Sequence, residues 1–167
     1  MSGNTRPFTM VSPELHNSRR YLSLDDSGRT LMHYYVSGPH QTSCGCSQIK
    51  PAYAAADLLW PVEKYLDYRG KLFDAGLIAF DAATNEIYIE RWFKHHCKGS
   101  WKFGKGLMTQ ICKIESDQLR EQVEAEFAST DIGAQAMEAQ EAEKEGSKPS
   151  VTNAHSRLAS TRIMQRV

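Results

Sequence analysis

The chain has 167 residues with 20 Lys+Arg against 20 Asp+Glu, a formal charge of zero at neutral pH. That length suits one domain plus an appendage. An apolar fraction of 41% with 3 Trp, 7 Tyr and 6 Phe excludes wholesale disorder, and no run approaches the ~18 apolar residues of a membrane span.

In chain order, MSGNTRPFTMVSPELHNS lacks the apolar run of a signal peptide, which makes the cytoplasm the expected location. Asp25, Asp26 or Ser27 can cap a helix with Leu31, Tyr34 and Tyr35 on one face. The loop SGPHQTS follows, and CGCSQIK reads as a brief strand. Pro51 then starts a helix over PAYAAADLL. Trp60-Pro61 opens another, VEKYLDYRGKLFDAG, in which Val62, Tyr65/Leu66, Arg69 and Leu72/Phe73 recur at helical spacing and Gly76 is the stop. LIAFD, AATN and EIYIERWF form a strand–turn–strand pattern, a hairpin. Leu107, Ile111 and Ile114 mark a further helix. Ser116 can cap DQLREQVEAEF, where Leu119, Val123 and Phe127 lie four apart.

All aromatics lie between Phe8 and Phe127, so the last forty residues cannot build a core of their own. The expected organisation is a domain over 1–127, an acidic Ala/Glu-rich helix over 128–146, marginal in isolation, and a flexible basic tail over 147–167. The order helix, short strand, helix, helix, hairpin, helices predicts an α+β winged helix. It has a three-helix core, a short strand beside the hairpin wing, and extra helices after it.

The zero net charge hides three blocks. Residues 1–114 hold 14 basic and 10 acidic side chains, 115–145 hold 2 and 10, and 146–167 hold 4 and none. Between Arg91 and Lys113 there is no acidic residue, and Arg91, Lys94, Lys98, Lys102 and Lys105 alternate with Trp92, Phe93, Trp101 and Phe103. Cations neutralise phosphates and release counterions, while aromatics stack on bases or fill a core. Trp92 and Phe93, at a strand end, are expected in the core. Trp101 and Phe103, in a Gly/Lys-rich loop, suit stacking and packing equally. The helix after Pro61 holds the recognition position, with Lys64, Tyr68 and Lys71 as exposed donors. Glu63, Asp67 and Asp74 interrupt these donors and leave the helix neutral. Thr84 and Asn85 at the wing tip could reach a nucleic-acid backbone.

Cys44 and Cys46 with His95, His96 and Cys97 include zinc-ligand chemistry. Cys-x-Cys is not the usual Cys-x-x-Cys knuckle, however, so no metal or other cofactor is expected. The cysteines are expected to be reduced thiols. No nucleophile elbow, phosphate loop or metalloprotease motif occurs, and His33 and His40 have no triad spacing, so no enzyme is expected.

The PHQTS loop with Gly45-Cys46, the AADL…WPVEKY helix pair, the AGLIAFD strand and the closing RWFKHH resemble N-terminal winged-helix domains of bacteriophage and prophage replication proteins, of the replisome-organiser or initiator type. The resemblance spans roughly Arg6 to Phe127. It implies binding of DNA, duplex rather than single-stranded, and a role in phage replication or regulation inside a bacterial host. Family members tend to continue after the Lys-His pair with Asn-Pro; here HCKGSWKFGK stands instead, and no counterpart of a helicase-contacting domain follows. These departures favour a stand-alone DNA-binding or adaptor protein. The alternative is a protein-interaction module in which residues 115–167 engage a partner, for helicase recruitment or inhibition of a host or defence complex.

Overall fold

A computed structural model describes residues 9–97 and 99–146. Among them the fold is α+β, with nine helices and one three-stranded antiparallel sheet. Two single-turn helices, α1 (Glu14–Asn17) and α2 (Arg19–Leu22), precede α3 (Asp26–Ser37). The Asp25 carboxylate caps α3 by accepting a 2.8 Å bond from Gly28 N. Leu31 and Tyr35 of α3 are buried, one turn apart. β1 (Cys46–Gln48) leads to α4 (Pro51–Leu58), where Pro51 sits in the first turn and needs no amide hydrogen.

Next, α5 (Val62–Asp74) runs into the hairpin of β2 (Ile78–Asp81) and β3 (Glu86–Ile89). The strand order is β1-β3-β2, which puts β3 in the centre, and all four of its residues are buried. The chain then forms α6 (Trp92–His96), α7 (Trp101–Ile111), α8 (Asp117–Ala128) and α9 (Asp131–Gly146). Ser116 caps α8 by accepting from Leu119 N, and Leu119, Val123 and Phe127 are its buried side chains.

One core joins these elements. Tyr35 Oη donates to Tyr65 Oη at 2.8 Å, pinning α3 to α5 inside it. Trp92, 1% exposed, stacks its ring on His96 at 3.7 Å and donates its indole N–H to Ser43 O. Gly45 makes this seat: it has φ +78, and a Cβ there would lie 2.3 Å from Trp92 Cγ.

Trp92 and Phe93 are core residues, as expected, but they open α6 rather than end a strand: β3 stops at Ile89. Trp101 and Phe103 are not in a loop; they open α7, and both are more than a third exposed. Glycines at 104 and 106 lower the helical propensity of this stretch, but packing overrides them. At Gly104 α9 comes so close that a Cβ would lie 2.8 Å from Ala136 Cβ. Burial therefore continues past Phe127, to a fully buried Ala136.

Candidate nucleic-acid interface

The cationic side chains nominated by the sequence separate into three groups. The first lies at the base of the hairpin. Arg91, exposed and in the left-handed region at φ 60, links β3 to α6. With Lys94 it borders a cleft of about 510 Å³ that also receives Arg19 and Arg20 from α2. Arg20 Nη1 donates to Gly76 O at 2.6 Å, tying α2 to the turn after α5. Glu14 and Glu90 are the carboxylates of this cleft. Glu14 reaches Lys94 at 3.4 Å and His95 at 3.7 Å, and Glu90 accepts from Gln122. Among the described residues no carboxylate lies within 4.0 Å of the Arg19 or Arg91 guanidinium. Four cations thus face two carboxylates.

His95 and His96 complete the wall. Desolvation first holds the His95 imidazole below its ordinary value, against a raising effect of Glu14 and with smaller lowering effects from neighbours including Lys94 and Arg91. The lowering favours the neutral ring at pH 7.

The second group is on α5. Lys64 Nζ lies 4.3 Å from the Trp60 ring centroid and Lys71 Nζ 4.0 Å from that of Tyr68. Lys71 also pairs with Asp67 at 2.8 Å, and Tyr68 Oη donates to Asp25 Oδ2 at 2.7 Å. The bonds from Gly28 N and Tyr68 hold the Asp25 carboxyl below its usual range. These donors are committed within the protein. The outward side of α5 carries Val62, Leu66 and Phe73, the last 50% exposed, and Leu59 before it is 92% exposed. An apolar outward face is poorly matched to base edges.

The third group is on α7. Lys105 Nζ contacts Glu143 of α9 at 2.6 Å and, like Lys102, lies within 6 Å of the Trp101 ring. Lys98 falls outside the described residues. The nominated residues therefore do not make one continuous ridge: Arg91 and Lys94 meet at the hairpin base, and Lys105 belongs to the α7–α9 contact. The physical reason is that α6 ends at His96 and a separate helix, α7, begins at Trp101, so one basic stretch serves two surfaces.

The hairpin tip is held rather than free. Glu86, 5% exposed, accepts from Glu115 N at 2.9 Å and Ser116 N at 2.7 Å, placing its charge on the amides that open α8. Gln48 donates to Thr84 O, and the Thr84 hydroxyl is buried without a partner among the described residues. Higher along β3, Glu126 of α8 accepts from Tyr88 Oη at 2.6 Å and Phe93 N at 3.0 Å. Thr84 is accordingly not a free tip contact.

The zinc candidates are not assembled. Among the described residues, no group of three or more His, Cys, Asp or Glu side chains could hold a metal. Cys44 and Cys46 are buried, with burial pushing the Cys46 thiol up, while Cys97 lies near Thr130 and His95 near Glu14. His33 and His40 sit apart, on Tyr21 and Asp57 respectively. Among the described residues no helix is long and apolar enough to cross a membrane.

Arg19 and Arg20 were missed by the sequence reading. Their only signal was an adjacent pair of arginines after Asn17-Ser18, with nothing to connect them to residues more than seventy positions later. Comparison with protein-family models, with curated proteins and with solved structures finds no match to this chain.

Proposed function

We propose that this chain is a winged-helix, phage-type DNA-binding protein that grips duplex DNA through the cleft at the hairpin base, in phage replication or regulation. The winged-helix reading is supported by the order helix, strand, helix, helix, hairpin and by the strand order β1-β3-β2. The binding reading rests on one observation: Arg19, Arg20, Arg91 and Lys94 converge on a single cleft with two carboxylates. Lys71 and Lys105 are secondary in this role, since Asp67 and Glu143 pair with them as Glu14 does with Lys94, and Lys64 and Lys102 stand away from the cleft. The setting is the cytoplasm of a bacterial host, and the role is binding with no catalytic step.

Fluorescence anisotropy with labelled duplex and single-stranded DNA over a salt series tests the proposal. Four phosphate contacts give a slope of log K against log salt of about −4. A flat salt dependence, or no binding at low salt, removes the proposal.

A second reading, a protein-interaction module for helicase recruitment or inhibition of a host complex, is favoured by the apolar outward face of α5. Loss of partner capture in Leu66→Asp/Phe73→Asp with DNA affinity unchanged supports it.

A further inference from the structure

A groove of about 410 Å³ lies between α7, α8 and α9, apart from the cationic cleft. Its floor is apolar: Met108 and Ile111 from α7, Phe127 from α8, and Met137 from α9, the last 42% exposed. Thioether side chains make such a floor adaptable to more than one apolar shape. Glu121 and Glu124, both exposed, form its rim, and no basic residue lines it among the described residues. Glu141, also exposed, stands one helical turn beyond Met137 on the same side of α9. An apolar floor with an acidic rim fits a segment that combines apolar and basic side chains.

The sequence holds such a segment. Residues 154–167, AHSRLASTRIMQRV, carry Leu158, Ile163, Met164 and Val167 with Arg157, Arg162 and Arg166 and no acidic side chain. Reach permits the contact. From Gly146 back to Met137 is roughly 14 Å at the helical rise of about 1.5 Å per residue. Residues 147–153 span up to about 24 Å when extended. A linker this short holds the segment at an effective concentration of order 1 mM, so weak affinity is enough to fill the groove.

We propose that residues 154–167 of the chain occupy its own α7–α8–α9 groove, with the arginines against Glu121 and Glu124 and the apolar side chains over Met108 and Met137. The groove is then a self-occupied site, which a competing basic segment must empty. This holds whether or not the cleft binds DNA, because the two surfaces share no residue.

Cys112 at the groove edge is exposed among the described residues and reports occupancy. The experiment follows its alkylation in the full chain by peptide mass spectrometry, with the buried Cys44 and Cys46 as the fold control. A segment at about 1 mM with a Kd of about 0.1 mM leaves the groove open roughly a tenth of the time. Cys112 should therefore react about tenfold faster in Arg157→Glu/Arg162→Glu/Arg166→Glu than in the parent chain. Glu121→Lys/Glu124→Lys should also unmask it, and combining both sets should restore protection. Should the groove variant expose Cys44 and Cys46, Leu158→Asp/Ile163→Asp, which leaves the described fold untouched, decides the matter by the same tenfold change. Equal Cys112 rates in all chains overturn the proposal. So does protection that fades on dilution together with a dimeric mass, which assigns the groove to a second copy, or protection that arises only on adding a separate basic peptide.

Discussion

The two halves of the basic stretch 91–113 meet different fates. Arg91 and Lys94 stand at the hairpin base beside Arg19 and Arg20, where cations outnumber carboxylates. Lys105, fewer than a dozen residues later, is consumed by Glu143 in the contact between α7 and α9. Charge density along a sequence is therefore a poor guide to charge density on a surface. What matters is which carboxylates the fold delivers to each cation, and the change from α6 to α7 was enough to divide the stretch.

The largest expected effect tests the floor of the cationic half. Trp92→Ala removes a side chain buried under the cleft and stacked on His96, and should cost about 3–5 kcal/mol of stability, read by chemical denaturation. A loss under 1 kcal/mol would detach the cleft from the core. On the other half, Gly104→Leu drives a side chain into Ala136 and Ile132. Overpacking there should cost about 1–3 kcal/mol and loosen α9 first, visible as faster amide exchange in 131–143 than in the sheet.

The functional contrast between the halves comes next. Arg19→Glu/Arg91→Glu should weaken duplex binding by at least about tenfold and flatten the salt slope by roughly 2, whereas Lys102→Glu/Lys105→Glu should change affinity by less than about threefold. Equal losses in the two variants would restore a continuous ridge.

The smallest effect concerns pH. In the free protein His95 titrates below its ordinary value of 6.5, chiefly from desolvation. A bound polyanion favours the protonated ring, so its value rises on binding and a proton is taken up. Affinity should therefore climb by roughly threefold as pH falls from 7.5 to 5.5, and His95→Gln should remove most of that climb. Glu14, Lys94, Arg91 and His96 are the charged and titratable neighbours of this ring, and Glu14→Gln should lower its titration further. A pH-independent affinity would take His95 out of the interface.

Much of the secondary structure was legible because its causes are local. Asp25 and Ser116 cap helices through a bond to an amide three residues on, Pro51 fits a first turn, and β-branched and aromatic alternation over 78–89 marks the hairpin. The start of α7 at Trp101 was not legible. Its two glycines argue against a helix, and only the close approach of Ala136 supplies the reason for Gly104. Nor was the outward side of α5. The periodicity of Val62, Leu66 and Phe73 looks the same whether the residues face a core or solvent, and the core takes Tyr65 and Leu72 instead.

By itself the sequence determined α3, α4, α5, the hairpin and α8, their order, and the concentration of aromatics before residue 128, since caps, turns and periodicity act within a few residues. Only the tertiary structure decided that Arg19 and Arg20 join Arg91 and Lys94, that Glu143 takes Lys105, and that α9 closes onto α7. Those outcomes depend on which elements pack together across dozens of residues, and spacing along a chain carries no information about that distance.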